Sequence, residues 1–151
     1  MLPKILALEA NPKDWRESLQ CTFTKLYDGG FVKKSYLQNC VKREEQYPTA
    51  LDFAMPVAIP HTEPEHVNVA AICILRLVTP VEFHSMEDPD EIKNVEFVFN
   101  LALKSSKDQL SVLQAIMKIL GDEQWLYHAK HIPLEELAQA FTTQLEKCER
   151  N

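Results

Sequence analysis

Apolar positions along this chain change their spacing twice, and the changes outline three blocks. In the first, Trp15, Leu19, Phe23 and Leu26 recur at three- and four-residue intervals, the period of one helix face, and Gly29-Gly30 follows as a stop. A second amphipathic stretch carries Tyr36, Leu37, Cys40 and Val41 and ends near Tyr47-Pro48, where proline breaks the pattern. In the middle block the periodicity gives way to short continuous apolar runs. Residues 57–59 form one of them; residues 69–77 and 95–103 read as buried strands. Val81-Glu82-Phe83 alternates and reads as a short edge-like strand or a bend, and the acidic residues 87–91 as a solvated turn. The last block is helical again. Leu110, Leu113, Ile116, Met117 and Leu120 form a stripe, with Asp108 near its start and Gly121 as its stop. Residues 122–130 and 133–147 follow as two more helices, the second opened by Pro133 and facing Leu134, Leu137, Phe141 and Leu145 inward. Helices, then strands, then helices imply a three-layer α/β/α sandwich with a central mixed sheet, one domain over residues 1–151.

Composition narrows the class without naming it. A chain of 151 residues with 46% hydrophobic and 25% charged positions has enough apolar material for one proper core. Its net charge of −6 disfavours a basic nucleic-acid surface and suits meetings with proteins or small molecules. Cys21, Cys40, Cys73 and Cys148 form no CxxC pair, which argues against a zinc ribbon, and Cys73 sits in an apolar run as a buried thiol. Isolated thiols fit a reducing cytoplasm. No leader pattern and no apolar run of membrane-spanning length is evident, so no direct membrane insertion is expected.

The chemistry concentrates where residues 57–59 meet Pro60-His61-Thr62. Proline has no N–H for a ladder and forces its neighbour extended, so the strand ends there and His61 stands at the sheet rim. An imidazole in that position is held by the scaffold and open to a partner, for a proton, a metal or a phosphoryl group. The bland alternative is a histidine that only hydrogen-bonds at the rim. His66 reads as solvated, His84 as facing outward or back toward the site with outward favoured, and His128 and His131 as surface residues. A zinc site built from His61, His66 and Glu63 or Glu65 lacks HExxH spacing and a cysteine partner. A GxSxG elbow and the glycine-rich nucleotide cradles do not occur, and Ser105-Ser106-Lys107-Asp108 reads as a helix N-cap. Arg43-Glu44-Glu45 reads as a solvated charge cluster, unless Arg43 folds back over the rim, where its planar donors would suit phosphate oxygens.

Taken in order, Arg43-Glu44-Glu45-Gln46-Tyr47-Pro48-Thr49, the Ile59-Pro60-His61 strand end, the Pro80-to-Met86 turn and the Asp108-Gln109-Leu110 start of a helix resemble the enzyme IIA domain of the sugar phosphotransferase system, of the fructose–mannitol superfamily. The resemblance covers nearly the whole chain. It implies a cytoplasmic phosphocarrier with a phosphohistidine intermediate, working without cofactor or metal. His61 would accept a phosphoryl group from the phosphocarrier protein HPr and pass it to a cysteine of the cognate enzyme IIB, with the membrane enzyme IIC engaged only indirectly. Arg43 would help hold the phosphoryl group. Mannitol- and fructose-type members often carry a second histidine at the start of the late helix; Gln109 stands there instead, an amide that donates N–H but never becomes cationic. That feature, with the surroundings of Ile59 and of Leu75-Arg76-Leu77, resembles the galactitol-type branch. Thr62, Glu44, Glu65 and His84 are possible supporting residues. A regulatory or binding module that keeps this fold without carrying phosphate is the alternative, since fold alone does not determine function.

Overall fold

A computed structural model describes residues 2–150, the side chains of Ser106, Asp108 and Arg150 excepted. Its five strands lie in the order β1-β4-β5-β3-β2: β1 (Lys4–Ala10), β2 (Ala50–Asp52), β3 (Pro56–Ala58), β4 (Ala71–His84) and β5 (Ile92–Ala102). β1 runs parallel to β4 and β3 parallel to β5, while β4/β5 and β2/β3 are antiparallel, so the sheet is mixed. Helices α1 (Trp15–Asp28) and α2 (Tyr36–Gln46) precede β2; α3 (Ser106–Leu120), α4 (Glu123–His131) and α5 (Leu134–Arg150) follow β5.

Strand alternation assigns the faces. On β4, Ile72 and Ile74 pack with Phe97 and Phe99 of β5 against Ile116, Leu126, Leu137 and Phe141 of α3, α4 and α5. Ala71 and Cys73 point the other way, toward Leu19, Leu26, Tyr36 and Cys40 of α1 and α2. The two clusters make the expected α/β/α sandwich, with helices covering both faces. Cys73 is buried as expected, and desolvation pushes its thiol up to about 12.

The structure departs from the sequence expectations in five places. β1 and β2 were not expected. Residues 81–83 are not a separate strand but the far end of β4, which crosses Pro80 at an irregularity between Arg76 and Val81; a bulge is where a strand tolerates the missing N–H. Val69 stays outside β4 and is exposed. On α3 the buried line runs through Ile116, Ile119 and Leu120, with Val112 and Leu113 beside it, whereas Leu110 and Met117 are exposed. The expected role of Asp108 at the start of α3 falls on a side chain outside those described.

Candidate functional site

β3 ends before Ile59-Pro60, and the backbone then makes one further parallel bridge, His61 with Leu101, closed by the Leu101 N–H donating to the Pro60 carbonyl at 2.9 Å. This pins His61 at the end of β5, just before the chain turns into α3. Behind it lies a buried polar network. The Tyr36 hydroxyl donates to Asn100 Oδ1 at 2.6 Å and also approaches the Leu101 carbonyl at 3.2 Å; Asn100 Nδ2 donates to Thr22 Oγ1 at 2.9 Å. Asn100, the one polar residue of the run 97–102, is the sequence feature that could have pointed to this network.

The ring of His61 is half-buried. Its Nδ1 lies 3.0 Å from the Ile59 carbonyl oxygen. A carbonyl only accepts, so Nδ1 carries the proton of the neutral ring and the lone pair is left on Nε2. Desolvation lowers the pKa of His61 and nearby Arg43 adds to it, against the raising effects of the Ile59 hydrogen bond and of Glu63. The imidazole is therefore held in its nucleophilic neutral form near pH 7.

Arg43, in the last turn of α2, reaches this rim. It is half-exposed, its Nη1 is 3.4 Å from Glu63 Oε1, and its guanidinium lies 5.5 Å from the centre of the Tyr47 ring. One long ion pair leaves most of its donors uncommitted. Glu63, which entered the sequence reading only as a conceivable metal ligand, is thus the residue that tethers Arg43. The hydroxyl of buried Thr62 donates to Glu63 Oε2 at 2.6 Å, and this bond is the main cause holding the Glu63 carboxyl below its usual range.

Glu44 is not solvated. It is 5% exposed, accepting from the Thr49 N–H at 2.8 Å and from the Thr49 hydroxyl at 2.9 Å. Burial pushes its pKa up to about 7 against the lowering effect of both bonds. Thr49 Oγ1 in turn accepts the Ile59 N–H at 3.1 Å.

Gln109 is half-buried in the first turn of α3, on the rim where β5 ends. Glu65 is exposed and lies beside His66, 3.9 Å from its Nε2. His66 is less solvated than expected: its Nδ1 is 2.8 Å from Ser35 Oγ and its side chain is 14% exposed. His84 faces outward near the other end of β5, opposite Ile92, with Nδ1 2.7 Å from the Pro89 carbonyl. It lines a surface cavity with Trp15, Arg16, Glu44, Glu45, Pro48 and Pro89. His128 and His131 are on the surface. Among the described residues no cluster of three or more His, Cys, Asp and Glu side chains is arranged to hold a metal ion, and no helix is long and apolar enough to cross a membrane.

Comparison with known proteins gives this geometry a context. The transcriptional regulator ManR of Bacillus subtilis is 26% identical over 117 residues, which are 78% of this chain; the chain spans 16% of the length of that regulator. The crystal structure of a putative PTS IIA (PtxA) from Streptococcus mutans superposes with a TM-score of 0.75 at 23% identity, covering 98% of this chain and 90% of the other. The complex of enzyme IIA mannitol with phosphorylated enzyme IIB mannitol from Escherichia coli matches with a TM-score of 0.67 at 22% identity, covering 95% of this chain and 94% of the other. The two solved structures share the fold described above. The family described as the phosphoenolpyruvate-dependent sugar phosphotransferase system, EIIA 2, matches residues 3–142, and the chain belongs to that family.

Proposed function

We propose that this chain is a phosphocarrier that receives a phosphoryl group on Nε2 of His61 from phospho-HPr and delivers it to a cysteine of a cognate enzyme IIB. The observation that carries the reading is the bond from His61 Nδ1 to the Ile59 carbonyl, beside an arginine with spare donors. In the accepting step the Nε2 lone pair forms a bond to phosphorus while the donor's N–P bond breaks, and the donor ring keeps the electron pair. The positive charge that develops on the His61 ring is met by the Ile59 carbonyl at Nδ1. Transfer then reverses toward a thiolate, with S–P forming as N–P breaks. Loose phosphoryl transfer asks for alignment and charge stabilisation rather than covalent help. Arg43 supplies the fixed cation, and the Gln109 amide and the backbone N–H groups opening α3 supply further donors to the phosphate oxygens.

The partner side of the reading is supported by family membership and by the fold shared with the partner-bound enzyme IIA mannitol. The substitution of an amide for a second histidine favours a galactitol-type system among the sugar and polyol carriers. The likeness to ManR favours a second reading, in which the same domain works in regulation rather than transport.

The test is incubation with enzyme I, HPr and labelled phosphoenolpyruvate. Wild-type protein takes up label and His61→Ala takes up none while keeping its circular dichroism spectrum; equal labelling of the two would remove His61 from the reaction. Onward transfer of the label to a purified enzyme IIB separates transport from regulation.

A further inference from the structure

We infer that Glu44 and Thr49 are positioning residues that act on His61 through the Ile59 backbone; this rests on the phosphocarrier reading for its functional consequence and on geometry alone for its structural one. The antiparallel ladder of β2 and β3 pairs Ala50 with Ala58, so the next rung outward joins Thr49 and Ile59. At that rung the backbone bond is stretched, with the Ile59 N–H 3.4 Å from the Thr49 carbonyl. The Thr49 side chain takes over, its Oγ1 accepting the same N–H at 3.1 Å. That oxygen is itself aimed by Glu44, which accepts both the hydroxyl and the N–H of Thr49. Pro48, just before, restricts the chain entering the rung. On the other side of Ile59, the Pro60 carbonyl is tied to the Leu101 N–H at 2.9 Å. Ile59 is therefore clamped on both flanks, and its own carbonyl is left to face His61 Nδ1 at 3.0 Å.

A buried carboxylate is costly, and both bonds this one accepts come from Thr49. What it does in this position is fix the hydroxyl that fixes the peptide that fixes the ring. The partner of one imidazole nitrogen sets which tautomer is populated and where the other nitrogen points. Loss of the clamp frees the Ile59 carbonyl to turn, the proton redistributes between the ring nitrogens, and Nε2 loses its alignment.

The experiment uses the full chain, 15N-labelled at histidine, with two readouts: the ring-nitrogen shifts of His61, which report the tautomer without any phosphotransfer, and the rate of label uptake from phospho-HPr. Thr49→Val is expected to lower the share of the Nδ1–H tautomer and to slow uptake roughly 10- to 100-fold, the range that small misplacements cost. Thr49→Ser restores both. Glu44→Gln keeps one acceptor for Thr49 and is expected to give a smaller loss of the same kind. A Thr49→Val protein that melts earlier but keeps the wild-type tautomer and uptake rate overturns the inference. If Thr49→Val fails to fold, Glu44→Gln decides: a wild-type tautomer and rate in that variant overturn it equally. If wild-type protein takes up no label, the phosphocarrier reading fails while the ring-nitrogen shifts still decide the clamp.

Discussion

Two arginines of this chain sit in opposite circumstances. Arg76, on β4, is 8% exposed and has three of its five donors committed: Nε donates to Glu9 at 2.7 Å, and Nη1 to the Ala129 and Ile132 carbonyls at 3.1 and 2.6 Å. It fastens the end of α4 to the sheet, where helix carbonyls lack intrahelical partners. Arg43 makes one 3.4 Å contact to an exposed carboxylate and stands beside a histidine with a free nitrogen. A guanidinium buried with three short bonds holds the protein together; one at a rim with a single long contact is available to something that arrives. His61 and His66 differ in a related way: His66 lines a surface cavity with Arg43 and Glu63, but its Nδ1 is already paired with Ser35.

The sharpest way to break this comparison is to exchange roles by mutation. Arg43→Ala should slow phosphoryl uptake roughly 100-fold, the usual scale for one charge-stabilising donor, and change stability by less than about 1 kcal/mol, because exposed ion pairs are worth little. Arg76→Ala should cost about 3 kcal/mol in urea denaturation, chiefly through carbonyls left unpaired and with a smaller part from a half-exposed ion pair broken, and leave uptake per folded molecule unchanged. A stability loss at Arg43 or a rate loss at Arg76 of those sizes would erase the distinction.

Glu44 offers a finer test, through pH. Its folded pKa of about 7 lies above the ordinary 4.5, so between those values the folded state holds more protons than the unfolded one. Stability then falls as pH rises from about 4.5 to about 7, and the contribution is fully present below 4.5. Glu44→Gln cannot titrate, so the wild-type-minus-variant stability difference should decline by at most about 3 kcal/mol across that window. A flat difference would show that Glu44 is charged throughout. The smallest expected effect concerns His61. Its lowered pKa predicts that the acidic limb of uptake lies below the 6.5 of an ordinary histidine, and Arg43→Gln should move that limb upward by removing the cation beside the ring. No movement would place Arg43 too far away to act on it.

Elements with a clear period were legible in the sequence, and those defined by distant partners were not. α1 and α2 carry their own stripe and stop, and α5 its stripe and an opening proline, so they could be placed from local residues. β1 has no such signature: Ile5 pairs with Ile72, far along the chain, and its strand is one edge of the sheet. β2 is only Ala50–Asp52, too short to show alternation. Residues 81–83 read as a short separate strand or bend because the irregularity that carries β4 past Pro80 is a property of the β4/β5 pair, not of the residues around it. The candidate site divides in the same way. His61 follows a strand-ending proline and stood out at once. The tether of Arg43 by Glu63, and the use of Glu44 to aim Thr49, depend on which oxygen faces which N–H, information that only the folded chain holds.

The most direct measurement is to phosphorylate the wild-type protein with phospho-HPr and locate the phosphorus by its coupling to the 15N-labelled imidazole nitrogens. A single phosphoryl group on Nε2 of His61 is the outcome required by an Nδ1 bound to the Ile59 carbonyl. Phosphorus on Nδ1, or on any other residue, would contradict it.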